Sequence, residues 1–142
     1  MENRHTGVKG VNHFTLAVRS LDISWQFYVE VLGMKPMARW YKGAYILAGG
    51  LWVTLTLDDR TRAAPLPEYS HVAFTVAEED FPVLERRIRE SGASIWQANH
   101  SEGASLYFLD PDHHKLEIHS SDLEARMRAL KQQAPRDLVI YA

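Results

Sequence analysis

Two segments of the chain place a histidine at matched positions: "NHFTLAV", Asn12 to Val18, and "SHVAFTV", Ser70 to Val76. A third, "KLEIH", Lys115 to His119, carries a glutamate at its centre. Strand-like alternation puts His13, Thr15 and Ala17 on one face, with Phe14, Leu16 and Val18 on the other. His71, Ala73 and Thr75 repeat the arrangement, and Glu117 shares a face with Lys115 and His119, opposite Leu116 and Ile118. Two imidazoles and one carboxylate from separate strands bind a divalent metal and leave positions open for substrate. A lone histidine opening a strand is usually a structural residue. The matched pair and the correctly phased glutamate make His13, His71 and Glu117 candidate ligands.

The stretch "HSEGASLYFLDPDHHKLEIHSSDL", His100 to Leu123, holds four of the seven histidines. It reads as a metal cluster, a proton relay, or a polar loop running into a strand with one working residue, and the repeat favours the loop. His5, His100, His113, His114 and His119 are therefore assigned no chemistry, and His113 and His114 are expected to face solvent in the turn after Asp110-Pro111-Asp112. His119 shares a face with Glu117, where it could orient that carboxylate.

The elements that must position these residues form an internal repeat offset by 58 residues, His13 to His71. Each histidine strand is followed by an amphipathic run: Leu21 to Leu32 with Ile23, Phe27, Tyr28, Val31 and Leu32, and Glu78 to Ser91 with Phe81, Leu84 and Ile88. The runs stop at Gly33 and Gly92, suited to the left-handed residue that ends a helix. Three strand-like pieces follow each glycine: Lys35 to Tyr41, Ala44 to Leu47 and Trp52 to Leu57, then Ser94 to Ala98, Ser105 to Leu109 and Lys115 to His119. The expected fold is α+β, a single domain over residues 1–142 of two tandem βαβββ units, about 8–57 and 69–119. The linker "DDRTRAAPLPEY" is charged and proline-bearing, and a last helix over 121–133 precedes Pro135 and the tail "RDLVIYA".

With 142 residues, 46% of them hydrophobic, the chain can bury one shared core more readily than two independent ones. Sixteen basic and 18 acidic residues give a net charge of -2, which argues against a nucleic-acid binder. No leader-like or membrane-spanning apolar stretch is evident, so a cytoplasmic location is the expectation. The absence of cysteine rules out a thiolate ligand or nucleophile from the protein itself, so any thiol chemistry needs a borrowed thiol.

Two βαβββ units with a histidine early in each first strand resemble the vicinal oxygen chelate superfamily, which includes glyoxalase I, bleomycin-binding proteins and extradiol dioxygenases. The run "DPDHHKLE" is similar to the superfamily's turn and glutamate-bearing strand. "GVNHFTLAV", "ARWYKGAYILAGGLWVTL", "YSHVAFTVAEEDF" and "NHSEGASLYFLDPDHHKLEIHSSDLEARM" resemble, more specifically, fosfomycin-resistance glutathione transferases of the FosA type.

That resemblance implies a cupped mixed sheet and a homodimer whose paired units share each metal site. It implies Mn(II) and K+ as cofactors, with fosfomycin and glutathione as substrates. Thr15 then stands beside the epoxide, Arg126 and Tyr107 serve the phosphonate with Ser101, and Tyr45 and Trp52 line the cavity. Asn99, Ser101, Gly103 and Ser105 match the potassium loop. The pattern breaks at "WQAN": Gln97 stands where the family usually has a lysine facing the phosphonate, and a neutral amide cannot neutralise a dianion.

Three activities follow from these residues. The first is a metal-dependent thiol transfer to fosfomycin. The second is a related reaction on another epoxide or phosphonate, or with another thiol or water, motivated by Gln97. The third is metal-free drug sequestration of the bleomycin-binding kind, against which His13, His71 and Glu117 argue. A dioxygenase would use a similar triad but needs further acid-base residues that have no evident place in the chain.

Overall fold

In the computed structural model, which describes residues 6–141, the alternating "HFTLAV" forms β1, His13–Val18. Ser20 then caps a helix, its side-chain oxygen accepting from the Ile23 N–H at 3.3 Å. The helix α1 spans Leu21–Trp25 and opens at once into a wider π turn, Gln26–Val31. Leu32 N–H bonds Phe27 C=O at 2.9 Å, five residues back, where an α-helix would bond four back. The single α-helix expected from periodicity is thus replaced near its middle. The wider turn lets the adjacent Phe27 and Tyr28 both be buried, whereas Ile23, counted as part of the apolar face, is 58% exposed. Gly33 follows with φ +76°, as a chain stop should.

The strands β2, Lys35–Trp40, β3, Gly43–Ala48, and β4, Leu51–Leu57, complete the first unit. The sheet order is β1-β4-β3-β2, with β1 parallel to β4 and the other pairs antiparallel. The second unit repeats this. It consists of β5, Val72–Thr75, a short 3₁₀ turn at Glu78–Asp80, α2, Phe81–Glu90, β6, Ile95–Gln97, β7, Ser105–Leu109, and β8, Lys115–His119. Its sheet runs β5-β8-β7-β6 with the same pattern of directions. The expected tandem βαβββ architecture is therefore present as two four-stranded mixed sheets, and the chain divides between Thr61 and Arg62.

Each sheet buries the face opposite its histidine. In the first unit that face carries Leu16, Val18, Ile46, Val53 and Leu55, and in the second Phe74, Leu106, Phe108, Leu116 and Ile118. Phe27 and Tyr28 belong to the first core, Phe81 and Ile88 to the second. Burying each such large apolar side chain contributes roughly 1.5–3 kcal/mol, and this fixes the strand register that aims the polar face the other way.

The connection between units begins less freely than its composition suggests. Asp58 N–H bonds Val18 C=O at 3.0 Å, Thr61 bonds back to Asp58, and Arg19 donates to Thr61 C=O at 2.8 Å. Residues 63–70 are exposed. The last helix, α3, Leu123–Gln133, is capped by Asp122 accepting from Ala125 N–H at 2.9 Å, and ends at Ala134 with φ +44° just before Pro135. No helix among the described residues is long and apolar enough to cross a membrane. His5 lies outside the described residues.

Candidate active site

In the second unit the register places Glu117 on β8 between Ala73 of β5 and Tyr107 of β7. Only 5% of Glu117 is exposed, so its carboxylate needs partners. Oε2 accepts from Ser105 Oγ at 2.7 Å, and Oε1 stands 3.0 Å from His71 Nε2. The other ring nitrogen of His71, Nδ1, is 2.9 Å from the Tyr69 carbonyl oxygen, which can only accept. Nδ1 therefore carries the proton, and in the neutral ring Nε2 directs a lone pair at a carboxylate oxygen. Two such atoms this close are bridged either by a proton on Nε2, which makes the ring a cation donating to Glu117, or by a metal ion. A separation near 3 Å is also that of neighbouring ligands each about 2.1 Å from one divalent ion. The donor set fits a metal.

An aromatic wall surrounds His71: Tyr69 and Trp96 meet its ring at 5.0 and 5.2 Å, and Tyr107 at 5.9 Å, all edge-on. Gln97, at the position of the missing lysine, donates from Nε2 to the Tyr69 hydroxyl at 2.9 Å. Lys115 lies over the Trp96 ring and donates to Glu68 C=O.

A second chain of polar contacts leads away from Glu117. His119 Nδ1 is 2.5 Å from Ser105 Oγ, and its Nε2 is 3.4 Å from Glu102 Oε1. That same oxygen accepts from Arg126 Nε at 2.8 Å. The Arg126 hydrogen bond, with another from Ser121, holds the Glu102 carboxyl below the usual glutamate range. His119 is thus more than a neighbour of Glu117: through Ser105 it helps orient that carboxylate.

Asn99, Ser101, Gly103 and Ser105 are drawn into one turn. The Asn99 amide donates to Gly103 C=O at 3.0 Å and accepts from both the N–H and the hydroxyl of Ser101, whose Oγ lies 3.4 Å from that of Ser105. Gly103 sits at φ +74°, and a Cβ there would come within 2.8 Å of Ser121 Cβ. Only glycine fits.

The histidines of the turn behave unequally. His113 adopts φ +67°, in the left-handed region that histidine tolerates better than most residues. His114, expected in solvent, is buried. The reason is the turn's closure: Asp110 Oδ1 accepts from the Asp112 and His114 N–H groups, pulling the chain inward ahead of β8.

The first unit presents its own half of the predicted residues. His13 Nδ1 is 2.7 Å from Asn12 Oδ1, which again assigns a proton to Nδ1 and, in the neutral ring, leaves Nε2 with the free lone pair. The ring stacks on Trp52 at 4.1 Å, and Tyr45 stands edge-on to Trp52 at 5.2 Å. Thr15 is paired in register with Thr54. The Trp52 Nε1 and Thr54 Oγ1 atoms are buried without a hydrogen-bond partner among the described residues.

The predicted ligands therefore divide between units, with His71 and Glu117 together in the second and His13 in the first. Among the described residues no group of three or more His, Asp or Glu side chains is assembled that could hold a metal. Tyr69, Trp96, Glu102 and Thr54 were not foreseen. Thr54 alone carried a usable signal, since "LWVTLTL" alternates Trp52 and Thr54 with Val53 and Leu55.

The chain matches the model of the glyoxalase/bleomycin resistance protein/dioxygenase superfamily over residues 10–118. It is 49% identical to glutathione transferase FosA of Serratia marcescens over 128 residues, 89% of this chain and 91% of that protein. It is 36% identical to metallothiol transferase FosB of Shouchella clausii over 137 residues, 93% of this chain and 94% of that one. Among solved structures it resembles the fosfomycin resistance protein FosX of Listeria monocytogenes, with TM-score 0.75, 26% identity, and coverage of 87% of this chain and 99% of that one. A FosX variant complexed with Mn(II) and 1S,2S-dihydroxypropylphosphonic acid matches at TM-score 0.72 and 25% identity over 86% of this chain and 99% of that one.

Proposed function

The chain belongs to the glyoxalase/bleomycin resistance protein/dioxygenase superfamily, on its fosfomycin-resistance branch, and from that premise we propose that it opens the epoxide of fosfomycin with the thiolate of glutathione. The observation that carries this reading is the His71 to Glu117 contact, a buried carboxylate facing Nε2 of an imidazole whose Nδ1 proton is committed to the Tyr69 carbonyl. In this reading His13, His71 and Glu117 hold Mn(II), and two chains pair so that their units share each metal site. A divalent metal held there would supply Lewis acidity, lowering the cost of the negative charge that develops as the epoxide opens.

The chain's own residues do the rest. Fosfomycin is a phosphonate dianion, and the Arg126 guanidinium, engaged with Glu102 through Nε, offers its terminal N–H groups as a fork for phosphonate oxygens. Tyr107 adds a hydroxyl donor, Ser101 adds another when its hydroxyl turns from Asn99 Oδ1 to the substrate, and Tyr45 and Trp52 line the cavity. Thr15 stands beside the epoxide. The thiolate sulfur forms a bond to an epoxide carbon, the carbon–oxygen bond breaks, and the oxygen takes up a proton to become a hydroxyl. K+ held by Asn99, Ser101, Gly103 and Ser105 would stiffen the loop that precedes Tyr107.

Gln97 favours a second reading on its own account. Its amide is tied to the Tyr69 hydroxyl and brings no charge to the anion, so the preferred substrate is a different epoxide phosphonate, or the nucleophile a different thiol or water. One experiment separates the two. Fosfomycin is incubated with protein, Mn(II) and K+, and with glutathione, bacillithiol, cysteine or no thiol, and the products are weighed by mass spectrometry. A glutathione adduct supports the first reading. A hydrated product or another adduct supports the second, and unconsumed drug in every arm removes fosfomycin as substrate.

A further inference from the structure

We propose that the Thr54 hydroxyl, together with the Trp52 indole N–H, forms a hydrogen-bonding subsite for substrate oxygen on the polar face of the first sheet, and that Thr54 is a specificity-determining residue. The inference rests on the functional reading above and extends it to a residue that the motif comparison did not single out.

Both atoms are buried and neither has a hydrogen-bond partner among the described residues. Buried polar groups are nearly always paired, and each exception calls for a reason. Here the two exceptions are next-but-one neighbours on β4, so they share a face. Across the parallel ladder Trp52 pairs with His13 and Thr54 with Thr15. On the other side Thr54 pairs with Tyr45. The unpartnered atoms therefore lie among the metal-ligand, epoxide and cavity residues of this unit.

Their orientation is also fixed. The Trp52 ring is held between the stacked His13 ring and the edge of Tyr45, which sets the direction of its N–H. Indole only donates, whereas a hydroxyl donates and accepts. A ligand meeting both presents acceptor oxygens, as an epoxide phosphonate does. Thr15 and Thr54 are register neighbours with their side chains on one face of the sheet, so the subsite adjoins the position proposed for the epoxide. Valine has threonine's shape, suits a strand at least as well and leaves no orphaned hydroxyl, so threonine at this position gains nothing for the fold alone.

Thr54→Val and Thr54→Ser test this, with thermal unfolding of the ligand-free protein and calorimetric binding of fosfomycin to the Mn(II)-loaded protein without thiol. The expected result is a Tm for Thr54→Val equal to or above wild type, with fosfomycin affinity lowered roughly tenfold, and with Thr54→Ser close to wild type in affinity. Unchanged affinity in Thr54→Val overturns the proposal whatever its stability. A fall in Tm for Thr54→Val also overturns it, because the hydroxyl would then be bonded within the fold. Should wild type bind no fosfomycin, the functional reading fails separately, and the subsite is judged on inorganic phosphate. A Tm rise with phosphate in wild type and Thr54→Ser that Thr54→Val lacks upholds the subsite, and equal rises remove it.

Discussion

His71 commits its Nδ1 proton to the Tyr69 carbonyl and turns its other nitrogen toward Glu117 Oε1, 3.0 Å away. A neutral imidazole and an ionised carboxylate meet unfavourably in that geometry unless a cation joins them. Glu117→Gln keeps the shape and removes the charge. It is expected to weaken Mn(II) binding by at least about a hundredfold, measured by titration calorimetry, since even residues that merely orient a ligand contribute 10–100-fold. Thermal unfolding in chelator should change far less, because the variant also relieves a buried charge. Retention of tight Mn(II) binding would remove Glu117 from the ligand set.

Gly103 offers a test of the cation loop. Its φ of +74° disfavours any side chain, and an added Cβ would press on Ser121 at 2.8 Å. Gly103→Ala is expected to cost about 1–3 kcal/mol of stability through backbone strain. If the turn of Asn99, Ser101, Gly103 and Ser105 holds K+, wild type is expected to turn over faster in K+ than in Na+, and the same variant to lose that difference. Stimulation that survives Gly103→Ala would place the ion elsewhere.

Much of this arrangement was legible before any coordinates, because its determinants are local. Period-two alternation put Glu117 opposite Leu116 and Ile118, and glycine stops marked the helix ends at Gly33 and Gly92. Residues whose roles arise only when distant strand ends meet were not legible. Glu102 gains meaning when the loop before β7 meets His119 at the end of β8 and Arg126 on α3. His114 is buried by the closure that Asp110 imposes, which composition does not encode. The π turn depends on whether Phe27 and Tyr28 can both be buried, a tertiary matter that helical spacing leaves open.

Asp58 yields a prediction about pH. The Arg60 N–H and then its side chain stabilise the ionised carboxylate, holding the Asp58 pKa below 3.8. A carboxylate whose folded pKa is depressed adds stability above its unfolded pKa and loses it as pH falls through the folded value. The Tm of wild type should therefore fall more steeply below about pH 3.8 than that of Asp58→Asn, and the two profiles should run parallel above about pH 5. The carboxylate is partly exposed and its Arg60 partner lies in solvent, so the difference is small. Identical profiles throughout would mean that the Arg60 contact does not persist in solution.

Gln97→Lys addresses the substrate directly. In wild type the Gln97 amide donates to the hydroxyl of Tyr69, which belongs to the wall around His71. A lysine of similar reach would surrender that neutral hydrogen bond, worth about 0.5–1.5 kcal/mol, for a charge-assisted bond to a phosphonate, worth about 1.5–3 kcal/mol. The balance favours the variant only if a dianion occupies the site. For fosfomycin, KM is then expected to fall by about one decade with kcat little changed, read from adduct formation under saturating thiol. A lower kcat with KM unmoved would indicate that the amide positions Tyr69 and His71 and that no anion reaches this position. That outcome would shift the assignment toward a substrate without a phosphonate on that side of the metal.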